Sequence, residues 1–134
     1  MKKGFTLIEL VLVITILGIL AVSALPSFIN ISTQAEQASR DGVVGAVRAG
    51  VALQRANDLV QNGPPGTYPA TLDASANAAC SATNLCFGTV LSQGVADGSW
   101  TRVSGTSYTF TDGTSTFTYT YTPASGTFTS PTAP

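Results

Sequence analysis

The chain has 134 residues and a mass of 13.7 kDa, room for one small domain. Lys+Arg 6 against Asp+Glu 7 leaves a net charge of −1, so no basic field exists to hold nucleic acid through its phosphates. Charged residues are 10% of the chain, against about 25% in ordinary soluble domains. Histidine is absent, which removes the commonest general base and the commonest zinc ligand together. Such a chain does not read as an enzyme, and it calls for no cofactor.

Hydrophobicity is concentrated in one block, Phe5 to Ile29, where Glu9 is the only formal charge. Beyond residue 30 the chain is rich in Ala, Gly, Ser and Thr, with four Arg, six Asp or Glu and no Lys. The block is long enough to cross a bilayer as a helix. Lys2 and Lys3 ahead of it set the amino terminus on the cytoplasmic side. One reading is a secretory signal peptide cut after Val22-Ser23-Ala24. Two features oppose it. The apolar stretch runs on through Leu25 and Phe28, and Glu9 lies inside the apolar core, where a carboxylate is costly and functional by default.

Lys3-Gly4-Phe5-Thr6-Leu7-Ile8-Glu9-Leu10 resembles the processing and methylation motif of type IV prepilins and type II secretion pseudopilins. The resemblance implies that a prepilin peptidase cuts between Gly4 and Phe5 and methylates the new amine of Phe5, removing residues 1–4 as a leader. It also implies that Glu9 pairs with the Phe5 amine of a neighbouring subunit, an assembly role with no catalysis. The sequence itself shows no partner for the Glu9 carboxylate within its own segment.

Residues 5–29 are expected to form the membrane and assembly half of a long helix, and residues 30–62 its amphipathic half. Pro26 allows two readings, since an interior proline removes a hydrogen bond and clashes with the preceding turn. The helix ends there, or, as the resemblance implies, it continues with a kink or melted stretch between Gly18 and Pro26. Further on, Val44, Val47 and Val51 make a narrow apolar stripe. Glu36 and Arg40 are spaced for an i,i+4 ion pair. Asn62-Gly63-Pro64-Pro65-Gly66 ends the helix. No head of this size could bury so long an element, so its first half belongs in lipid or among other copies of the chain.

Residues 63–99 read as a connecting loop. Its Cys80 and Cys86 are expected to form a disulfide in an oxidising compartment. A metal site would need more ligands than the chain offers, and a redox pair would usually show Cys-x-x-Cys spacing. From Trp100 the period changes to two. Ser107–Thr111 and Phe117–Thr122 alternate aromatic with small polar residues around a hairpin signal at Asp112-Gly113. Trp100–Val103 and Thr127–Thr129 extend this to an antiparallel sheet over residues 100–129. Tyr108, Phe110, Phe117, Tyr119 and Tyr121 share its inner face and the threonines its outer one. Ser130–Pro134 form a tail.

One long helix packed by its carboxyl half against a small antiparallel sheet is an α+β arrangement that resembles the type IV pilin fold. Tyr68-Pro69-Ala70-Thr71-Leu72-Asp73 and the following cysteine loop look most like mannose-sensitive haemagglutinin-type major pilins. The cysteine pair lies between helix and sheet, whereas many type IVa pilins close theirs near the carboxyl end. The resemblance implies a homopolymeric pilus filament serving attachment, with motility or DNA uptake as further roles. It implies an inner-membrane precursor, an extracellular filament, and an assembly platform with ATPases as partners. The alternative is a type II secretion pseudopilin or a minor pilin. Major pseudopilins carry an acidic calcium loop, and Asp97 and Asp112 alone do not make one. Arg102 is too little to hold DNA, so no nucleic-acid site is expected.

Overall fold

A threonine followed three residues later by a glutamate opens the first element of the computed structural model, which describes residues 3–129. Lys2 and the expected tail Ser130–Pro134 lie outside the described residues. The element order is α1 (Leu7–Asn62), β1 (Trp100–Ser104), β2 (Ser107–Thr111), β3 (Thr116–Thr122) and β4 (Thr127–Thr129). The chain divides into two units, Met1–Glu36 and Gln37–Pro134.

In the first unit α1 is exposed on nearly every side, with Leu7, Ile8, Ile19, Val22 and Phe28 all open. It is long and apolar enough to cross a membrane. Two of its hydroxyls bond back onto the helix, Thr15 to the Leu12 carbonyl at 2.8 Å and Ser23 to the Ile19 carbonyl at 3.1 Å. That leaves no side-chain donor unpaired at those two positions, as a lipid environment requires. The helix runs through Pro26 without a break, so the reading in which it ends there is set aside.

In the second unit Val44, Val47 and Val51 are buried on one face of α1. They join a core with Trp100, Tyr108, Phe110, Tyr119, Tyr121 and Phe128 from the sheet. The sheet is antiparallel throughout, in the order β1-β2-β3-β4. Tyr108 stands opposite Tyr119 and Phe110 opposite Phe117, so the expected aromatic face forms. Trp100 is the hub, with ring centroids 5.3 Å from Phe87, 5.3 Å from Phe110 and 5.2 Å from Tyr119. Phe117 is only partly buried and lies beneath the Arg40 guanidinium, 4.7 Å from its ring centroid. Arg40 also pairs with Asp41 at 2.9 Å, in place of the expected pair with Glu36.

The hairpin between β2 and β3 has a four-residue loop rather than a two-residue Asp-Gly turn. Asp112 and Ser115 close it, and Asp112 Oδ1 accepts the Thr114 and Ser115 amides at 3.0 and 2.7 Å. Gly113 occupies a positive φ of 81° within it.

Gly50 marks the closest approach to the helix. A Cβ there would overlap the Val90 backbone carbonyl. Gly50→Ala is therefore expected to destabilise the fold by about 1–3 kcal/mol, even though alanine is the better helix former. At Gly42 a Cβ would meet nothing within 4 Å. Gly42→Ala should stabilise by up to about 1 kcal/mol. Thermal melts of the two variants, opposite in sign, check this packing.

Candidate functional site

At the amino terminus, residues 3–6 precede the helix in an exposed stretch of no regular structure. The Gly4–Phe5 bond lies in that stretch, Phe5 is 90% exposed, and nothing lies within 4 Å of a Cβ position at Gly4. Thr6 then caps α1. Glu9 Oε2 accepts the Thr6 amide at 2.9 Å and the Thr6 hydroxyl at 2.8 Å, while the Glu9 amide reaches Thr6 Oγ1 at 3.4 Å. This is a capping box, whose Thr-x-x-Glu spacing stood in the sequence. It corrects the expectation that Glu9 finds no partner in its own segment. The cap holds the carboxylate at the first turn, four residues from the backbone nitrogen of Phe5.

Gly18 and Pro26 lie on the same exposed stretch of α1. Thr15, Gly18, Ile19, Val22 and Ser23 line a shallow groove of about 520 Å³ along it. Past residue 36, the face of α1 turned away from the sheet carries Gly42, Ala46, Ala49, Leu53, Ala56 and Val60, all exposed. Their spacing alternates four and three, the period of a helix–helix seam. Leu53 is 71% and Val60 85% exposed, too much apolar surface for a face meant to meet water.

Cys80 and Cys86 are bonded, with Cα atoms 5.4 Å apart, and both are buried. The bridge belongs to a loop that is part of the core and not merely a connection. Leu72, Asp73 and Phe87 within it are as buried as the sheet aromatics. Phe87 sits at a φ of 61°, unusual for a residue with a side chain. Its amide donates to Asp73 Oδ2 at 3.0 Å, and the Tyr108 hydroxyl donates to the same oxygen at 2.9 Å. Asp73 Oδ1 lies 2.7 Å from Arg102 Nε, an ion pair held by charge, since neither atom makes an aligned hydrogen bond. Arg102 Nη1 reaches the Ser75 carbonyl at 2.6 Å and Asn77 Oδ1 at 2.7 Å. Arg102 is thus a partly buried structural cation that straps the loop to β1. Burial first, and then the Asp73 carboxylate, hold the Tyr108 hydroxyl protonated well above the usual tyrosine range.

Two other carboxylates are tuned the opposite way. The Thr67 amide above all, then Asn62 and the Thr67 hydroxyl, hold Asp58 below its ordinary value. The Ser115 and Thr114 amides do the same for Asp112. Both groups bind protons less readily folded than unfolded. Their contribution is therefore full above the ordinary carboxylate value near about 4, and it is lost as pH falls through the lower folded values. The melting temperature should hold steady from pH 7 to about 5 and drop below about 4. Asp58→Asn with Asp112→Asn should flatten that drop, as read by circular dichroism across a pH series.

The family profile described as "Prokaryotic N-terminal methylation motif" matches residues 1–25. The chain is also similar to the "Type IV narrow pilus major component PilA5" of Thermus thermophilus, 51% identical over 51 residues. That stretch is 38% of this chain and 44% of the relative, so the likeness spans less than half of either protein. No solved structure matches the chain. The motif and the relative together support a likeness to type IV pilins, and the relative's own description is that of a pilus component.

Proposed function

We propose that the chain is the structural subunit of a type IV pilus filament, made as an inner-membrane precursor with its amino terminus in the cytoplasm. A prepilin peptidase cuts at Gly4–Phe5 and methylates Phe5. The remaining chain then leaves the bilayer by packing its apolar helix against those of other copies. An assembly platform and its ATPases drive the step, and the filament serves attachment.

The observation that carries this reading is an apolar helix half exposed all round, joined to a head with a complete core of its own. Such a surface must be covered by lipid or by more of the same helix. The exposed Gly42–Val60 seam and the Gly18 groove are shaped for the second, because small residues let neighbouring helices approach closely. Glu9 gives a reason to leave lipid, since pairing it with a neighbour's Phe5 amine neutralises both charges. Gly18 and Pro26 weaken the helix locally and are the natural place for it to bend during packing.

Gly4→Val puts a branched side chain at the cut. It is expected to leave residues 1–4 attached, to hold the protein in the membrane fraction, and to empty the sheared surface fraction. Immunoblotting of both fractions reads the outcome. Surface filaments of unprocessed Gly4→Val protein would contradict the processing step.

A further inference from the structure

The two edges of the sheet are finished differently. Along β1 the loop closes the edge, for the Cys80 amide donates to the Trp100 carbonyl at 2.8 Å and the Arg102 amide to the Ala78 carbonyl at 3.0 Å. Ala79 bridges Thr101 between them. Along β4 nothing equivalent is present among the described residues. The Tyr121 amide bonds the Thr106 carbonyl at 2.8 Å, so Tyr121 turns its backbone away from β4. Thr120 and Thr122 then face β4 and pair with Thr129 and Thr127. By the alternation of an antiparallel ladder, Phe128 turns its N–H and C=O outward. The carbonyl accepts Arg48 Nε at 3.1 Å and Nη2 at 2.9 Å. No such partner reaches the amide among the described residues.

Arg48 is the second half of the feature. It is exposed, and two of its five N–H groups are used on Phe128. The ion pairs of the described residues engage Arg40 and Arg102, and none engages Arg48. Arg48, Gly126, Thr127, Phe128 and Thr129 line a groove of about 500 Å³. Among the described residues, a strand edge with no neighbour, an amide with no acceptor and a guanidinium with no carboxylate therefore share one groove.

We propose that this groove is a docking site for an extended, acidic segment of a partner protein, added to the sheet beside β4. The segment's backbone carbonyl takes the Phe128 N–H, as in strand addition to an open edge. Its carboxylate takes the free N–H groups of Arg48, a charge-assisted pair that a neutral segment cannot make. The proposal uses only the head and does not depend on filament assembly.

The test is an amide NMR titration of the ¹⁵N-labelled full chain in detergent micelles. The probe is the synthetic peptide acetyl-Thr-Val-Thr-Val-Glu-amide, and its Glu-to-Gln analogue is the control. The Phe128 amide is expected to shift saturably with the first peptide, and affinity to fall roughly tenfold with the analogue or in Arg48→Met. If Arg48→Met does not fold, the two peptides on the unaltered chain make the same comparison. A Phe128 amide indifferent to the acidic peptide, or equal affinity for both peptides, overturns the proposal. So does a Phe128 shift on diluting the protein alone, because a second copy would then hold the edge.

Discussion

Glu9→Ala is expected to leave membrane insertion and the cut at Gly4–Phe5 intact while reducing the yield of sheared filaments more than tenfold. A charged side chain within the bilayer costs on the order of 3 kcal/mol on insertion scales. Alanine removes that cost, so it stabilises the subunit in lipid and removes the charge that pairing would neutralise. The same substitution deletes the Thr6–Glu9 capping box, whose loss weakens the helix start by about 1 kcal/mol. The two effects separate in Glu9→Gln, because glutamine fills the same place in a capping box without the charge. If charge pairing drives assembly, Glu9→Gln fails as Glu9→Ala does. Filaments restored by glutamine would show that the cap alone matters and would contradict the pairing.

Asp73→Ala should be the most damaging single change in the head. The carboxylate is almost fully buried and serves the Phe87 amide, the Tyr108 hydroxyl and the Arg102 guanidinium at once. Removing one member of a buried pair leaves the other uncompensated, at a cost of about 3–5 kcal/mol. For a head of this size that lowers the melting temperature by at least about 12 °C. Phe87 adds to the damage, since its left-handed backbone is held by the bond to Asp73 and its ring packs on Trp100 and Tyr108. In the double variant Asp73→Ala/Arg102→Ala the orphaned cation is gone, so the loss should be smaller than the sum of the two single losses. A cost under about 1 kcal/mol for Asp73→Ala, measured by thermal melts of the full chain in detergent, would contradict this reading of the strap.

The strands were the most legible part of the fold. Thr and aromatic residues alternate strictly through Ser107–Thr111 and Phe117–Thr122, and a period of two admits one assignment of faces. The stripe of Val44, Val47 and Val51 was legible for the same reason, with a period that suits a helix. Leu72, Asp73 and Phe87 were not, because a loop has no period to say which of its side chains turns inward. The structural role of Arg102 was not legible either, because its partner, Asp73, lies far back along the chain in that loop. Asp112-Gly113 signalled the hairpin correctly but not its loop, for the Asp112 carboxylate closes a wider turn by binding two amides. Thr6 and Glu9 are a different case. Their capping-box spacing was there to read, and the membrane setting of Glu9 drew attention to its charge instead of its neighbour.

The most direct measurement of the central claim is intact-mass and amino-terminal analysis of the protein in a sheared cell-surface fraction. The expected result is an abundant chain that begins at N-methyl-Phe5 and is two hydrogens light for the Cys80–Cys86 bond. A chain beginning at Leu25, or one starting at Phe5 but found only in membranes, would contradict a filament subunit.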